Sequence, residues 1–102
     1  MNYEDTMTVE GAEGYEAEDM ASYYAAIQRQ INDGQWSLQG SHGRTMMEAI
    51  REGRCLLGTK SATDYWGNII PAREEVKEGT HGSRDLVVAT MGEEWAVAME
   101  VA

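Results

Sequence analysis

The sequence predicts an α+β fold, a small two-layer domain in which a long N-terminal helix packs on a mostly antiparallel sheet of roughly 3–5 strands ending in a C-terminal hairpin. Three observations lead there. Apolar residues recur at helical spacing through residues 17–33. A short apolar run at 54–58 has the length of a buried strand. Two segments, 86–91 and 95–101, flank Gly92-Glu93-Glu94 as strands flank a hairpin turn.

The chain has 102 residues, which predicts one domain, 1–102. A hydrophobic content of 42% with 25% charged residues fits a globular chain. Phenylalanine is absent, so bulky core volume falls to Trp36, Trp66, Trp95, five tyrosines and seven methionines. The single cysteine, Cys55, excludes an intramolecular disulfide and a Cys-rich zinc site. No apolar run is long enough to span a bilayer, and the acidic start is unlike a signal peptide. The expectation is a cytoplasmic protein with no membrane partner.

Residues 1–16 form an acidic segment in which Thr6-Met7-Thr8-Val9 alternates as a short edge strand would, before Gly11 and Gly14 interrupt it. In 17–33, Met20, Tyr24, Ile27 and Ile31 make one apolar stripe, widened by Tyr23 and Ala26. Glu16, Glu18 and Asp19 favour the positive end of this helix, and Asn32-Asp33-Gly34 supplies its stop. Trp36-Ser37-Leu38 is extended. A second helix begins near Thr45, where Thr45-Met46-Met47-Glu48 matches a capping box, and ends by Gly53. Arg54-Cys55-Leu56-Leu57-Gly58 then reads as a strand buried on both faces. Gly67-Asn68 marks a turn, Ile69-Ile70 an apolar anchor, and Pro71 the first position of a short helix over 71–78. In the last segment Trp95, Val97, Met99 and Val101 fall on one strand face. A single helix over 86–101 is the rival, since Ala, Met, Glu and Leu favour helix.

Enzyme templates fail. The chain has no Walker loop, dinucleotide fingerprint, HExxH or GxSxG. Cys55 paired with His42 or His81 would sit in an apolar strand, a poor setting for a nucleophile. The histidines with Asp64 or Asp85 lack metal-ligand spacing. The sequence therefore predicts no catalytic residue, no metal and no cofactor. Two glycine-rich segments echo one another, Gly40-Ser41-His42-Gly43-Arg44 and Gly79-Thr80-His81-Gly82-Ser83-Arg84. Converging backbone amides, hydroxyls and guanidiniums suit an anion, so Ser41, His42, Arg44, Thr80, His81 and Arg84 are candidates to hold a nucleotide or other phosphorylated ligand. Lys60, Tyr65 and Trp66 add charge and stacking for a base.

The net charge is −10, and residues 1–28 carry seven acids with no Lys or Arg. Such a surface repels nucleic acid and attracts basic protein surfaces. Glu10, Glu13, Glu16, Glu18 and Asp19, with Tyr15 and Tyr23 as aromatic anchors, are the candidates for partner binding. In size, single cysteine, acidic N-terminal third and lack of an enzyme motif, the chain resembles the small acidic phage and mobile-element proteins that inhibit bacterial defence systems, of the anti-CRISPR and anti-restriction type. The resemblance implies a non-enzymatic inhibitor in a bacterial host cell, a monomer or homodimer that covers the basic nucleic-acid-binding surface of a defence complex. Its remaining 74 residues carry ordinary mixed charge, which a uniform DNA mimic would not.

Overall fold

The computed structural model describes residues 19–34, 36, 40–64 and 66–102. The expected edge strand at 6–9 and the residues Ser37 and Leu38 lie outside them. Four helices and one two-stranded sheet make up the described fold: α1 (Met20–Asn32), α2 (Gly40–Arg51), β1 (Ala62–Thr63), β2 (Ile69–Ile70), α3 (Arg84–Met91) and α4 (Glu93–Glu100), with a 3-10 turn at Arg73–Glu75. The expected sheet of three to five strands is thus corrected to a mostly helical fold whose sheet has two strands.

Helix α1 follows the apolar stripe. Its N-cap is Asp19, whose Oδ1 accepts the Ser22 N–H at 2.7 Å. Gly34, at φ 72°, follows the Asp33 C-cap as expected. Ala26, Ile27, Gln28, Gln30 and Ile31 are buried, whereas Met20 is half exposed. Helix α2 begins five residues before the expected start, so Thr45 and Glu48 lie inside it rather than at its cap. Its Met46, Ala49 and Ile50 are buried, at the i, i+3, i+4 spacing of a core-facing stripe. Helix α1 packs against both α2 and α4, and α3 packs against α4.

The run Arg54–Gly58 is buried as expected but joins no sheet. Its backbone groups are satisfied by side chains and loops instead, which a buried irregular segment requires. Gln28, fully buried on α1, accepts the Leu56 N–H at 2.7 Å and donates from Nε2 to the Leu56 carbonyl at 2.9 Å. One amide side chain thereby stands in for a neighbouring strand. Further along, the Leu57 N–H donates to the Gly82 carbonyl, Arg73 Nε to the Leu57 carbonyl, and the Arg73 N–H to the Gly58 carbonyl. Trp95 Nε1 closes the near end by donating to the Arg54 carbonyl at 2.8 Å.

Strand β1 pairs antiparallel with β2, Ala62 opposite Ile70 and Thr63 opposite Ile69. Asp64 shapes the turn between them. Its Oδ1 accepts the N–H groups of Trp66 and Asn68, and its Oδ2 accepts from Asn68 Nδ2. The helix expected over 71–78 is only the short 3-10 turn.

The expected C-terminal hairpin is two helices. Ser83 caps α3 by accepting the Leu86 N–H, and Gly92, at φ 97°, separates α3 from α4. Glu93 and Glu94 occupy the first turn of α4, where the macrodipole favours acids. Burial follows helical spacing. Ala96 and Met99 are fully buried while Val97 and Val101 are exposed, so the alternating pattern read as a strand face was coincidental. The rival single helix was nearer, broken once at the glycine. One buried cluster joins the elements, with Ile27, Ile31, Met46, Ile50, Leu56, Val87 and Met99 at its centre.

Candidate functional site

Helix α2 has two working faces. Met46, Ala49 and Ile50 face the core, while Gly43, Arg44, Met47, Glu48 and Arg51 line a cleft of about 270 Å³. Those five recur at i, i+1, i+4, i+5 and i+8, one stripe of the helix surface. Asp64, Trp66 and Ile70 of the hairpin form the other wall, and Trp36 contributes to the lining. The two indoles differ sharply. Trp36 is 3% exposed, whereas Trp66 is 72% exposed. Among the described residues, no ion pair or side-chain hydrogen bond engages Arg44 or Arg51. The cleft therefore combines apolar walls with a few convergent charged groups, the usual make-up of a small-molecule site. Its volume, about 270 Å³, lies just below the range of about 300–1,000 Å³ typical of such sites.

A second cavity, about 430 Å³, is lined by Arg73, Ser83, Arg84 and the acids Glu74, Glu78, Asp85 and Glu100. Its Arg84 is already engaged. It pairs with Glu93, and Arg84 Nε donates to Glu100 Oε1 at 2.8 Å. These two carboxylates, Glu93 first, raise the guanidinium pKa, and Arg84 in turn lowers that of Glu93.

The two echoed segments do not build one site. Gly40–Arg44 is the first turn of α2 rather than a loop, with Ser41 and His42 in that turn. Gly79–Arg84 is a turn leading into α3, where Thr80 Oγ1 donates to the Lys77 carbonyl and His81 is exposed. Arg44 lines the first cavity and Arg84 the second. Of the base-stacking candidates, Trp66 lines the cleft, Lys60 is exposed elsewhere, and Tyr65 lies outside the described residues. Sequence reasoning missed Met47, Glu48 and Arg51. Their signal was the spacing Arg44, Glu48, Arg51, a charged stripe opposite the apolar one.

Among the partner-binding candidates, Glu10, Glu13, Tyr15, Glu16 and Glu18 lie outside the described residues. Asp19 has a structural task as N-cap, and the Ser22 N–H it accepts lowers its carboxyl pKa. Tyr23 packs against the core and meets Tyr24 edge to face, with ring centroids 5.2 Å apart. Burial, then the Tyr24 hydroxyl, raises the Tyr23 pKa.

Cys55 is fully buried, and its Sγ lies 3.6 Å from the Tyr24 carbonyl. Burial pushes the thiol up to about 12, so the thiolate a nucleophile needs is suppressed at neutral pH. Among the described residues no three His, Cys, Asp or Glu side chains stand together as metal ligands, and no helix is long and apolar enough to cross a membrane.

In comparison with known proteins, no family model, no curated protein and no solved structure matches the chain.

Proposed function

We propose that the protein binds a phosphorylated, planar small molecule of the nucleotide class in the cleft between α2 and the β1–β2 hairpin, and sequesters or carries it without transforming it. One observation carries this reading: the exposed Trp66 ring lines the same cleft as Arg44 and Arg51. Stacking on an aromatic contributes roughly 1–3 kcal/mol per base. A guanidinium fork adds charge-assisted bonds to a phosphate. The cleft's size suits one base and its phosphate rather than a dinucleotide. The test is a thermal-shift panel of mono- and dinucleotides on the full chain, since a ligand that binds only the folded state raises Tm. A positive shift should be abolished by Arg44→Ala combined with Arg51→Ala, and weakened on the order of tenfold in affinity by Trp66→Ala. No shift with any nucleotide would overturn the proposal.

A second reading rests on a different observation, the seven acids and absent bases of residues 1–28. Here the protein is a stoichiometric inhibitor, of the phage or mobile-element kind, that covers a basic nucleic-acid-binding surface of a defence complex. Its association would weaken as salt rises, because exposed charge attraction is screened over about 10 Å at 0.1 M salt. Association indifferent to salt would count against it.

A further inference from the structure

We infer that the cleft prefers guanine nucleotides, with Glu48 as the residue that reads the base. This rests on the nucleotide reading and deepens it. The starting point is a charge balance. Arg44 and Arg51 bring two positive charges to the cleft, and Glu48 and Asp64 bring two negative ones. A bare anion therefore gains little there. The cleft suits a ligand with an anionic group at one point and hydrogen-bond donors at another.

The two carboxylates are not equivalent. Asp64 spends both oxygens inside its own turn, on Trp66 N–H, Asn68 N–H and Asn68 Nδ2. The Glu48 carboxylate makes no hydrogen bond or ion pair among the described residues. It stands on the helix about one turn from each arginine, so the three groups span roughly 10 Å along the axis. An ionised carboxylate only accepts, and it accepts best from two adjacent donors.

Nucleobases differ in what they can offer it. Guanine presents N1–H and the N2 amine side by side, matching both carboxylate oxygens. Hypoxanthine keeps N1–H but lacks the amine. Adenine presents one amine beside an acceptor nitrogen, and uracil one N–H between two carbonyls, so in each case an acceptor meets the carboxylate. With the base stacked on Trp66 and its edge on Glu48, a flanking guanidinium meets the 5′-phosphate. The arrangement is one of binding and discrimination, with no bond made or broken.

The experiment is titration calorimetry of the full chain with GMP, IMP and AMP, at fixed salt. GMP should bind on the order of tenfold more tightly than IMP, the scale of one bidentate edge contact, and AMP should bind more weakly still. Glu48→Gln keeps the size of an exposed side chain, so its Tm should equal that of the parent. It should bring the GMP and IMP affinities to within about twofold. Arg44→Ala should weaken GMP and AMP alike. Equal binding of GMP and AMP, or a GMP preference undiminished in Glu48→Gln, overturns the guanine assignment and leaves nucleotide binding in place. Binding of none of the three overturns both.

Discussion

At the scale of single residues, Gln28 joins helix α1 to the buried 54–58 run through one amide. It is fully buried, and its amide pairs with both backbone groups of Leu56 while Nε2 also reaches Asn32 Oδ1 at 3.1 Å. Asn32 Oδ1 in turn accepts from Arg73 Nη2 at 3.0 Å. Removing the amide strands a buried donor and a buried acceptor, and each such loss costs about 1–3 kcal/mol. Gln28→Ala should therefore cost about 2–6 kcal/mol and lower Tm by roughly 10–40 °C in a thermal melt followed by circular dichroism. A drop of only a few degrees would mean that water replaces the amide. Gln28→Glu sharpens the point through its sign. A carboxylate still accepts the Leu56 N–H but opposes the Leu56 carbonyl, and burial raises its folded pKa above the unfolded value of about 4.3. The variant's deficit relative to the parent should be least below that pH and grow as pH rises through the folded pKa. Nothing in the sequence advertises this clamp. A glutamine on a helix counts as polar surface, and its partner lies 28 residues further on.

At the scale of elements, the turn before α3 is held by close approach. Gly82 has φ 87°, and a Cβ there would collide with Leu57 Cγ, stand 2.8 Å from Leu57 Cδ1 and 3.3 Å from Ile50 Cγ2. Gly79, three residues earlier, has φ 81° but open space around it. The pair separates two effects that usually coincide. Gly79→Ala meets only the left-handed backbone cost, about 1–2 kcal/mol. Gly82→Ala adds core overpacking, typically about 1–3 kcal/mol more. Urea unfolding should rank them in that order, and equal losses would show that Leu57 moves aside without cost. The elements also show where sequence periodicity informs. Helix α1 was legible because Met20, Tyr24, Ile27 and Ile31 recur over three turns and Asp33-Gly34 ends them. Helices α3 and α4 were not, because each is eight residues long. Over so short a span Trp95, Val97 and Met99 satisfy a strand's period while Ala96 and Met99 satisfy a helix's. Tertiary packing decided between them, by burying Ala96 and exposing Val97. The cleft was half legible. Arg44 and Trp66 were visible as residue types, but the glycines around Arg44 suggested a loop, which hid its alignment with Glu48 and Arg51 on one helix face.

At the scale of the whole molecule, charge is uneven along the sequence. Six of the 18 acids precede Asp19, and none of the eight bases does. Neutralising those six, as Glu4→Gln, Asp5→Asn, Glu10→Gln, Glu13→Gln, Glu16→Gln and Glu18→Gln, takes the net charge from −10 to −4. Self-repulsion falls, so Tm at low salt should hold steady or rise slightly, and the difference from the parent should vanish as salt screens both proteins. Nucleotide binding in the α2–hairpin cleft should survive, since its phosphate would meet less long-range repulsion. Capture of a basic protein partner should collapse, since electrostatic steering sets the encounter rate at exposed charged surfaces. The two functional readings thus move in opposite directions in one variant. Calorimetry with GMP and surface-plasmon capture against a basic nucleic-acid-binding protein would read both. Nucleotide affinity held or raised, with capture unaffected in either protein, assigns the cleft. Capture lost with the nucleotides inert assigns the acidic face.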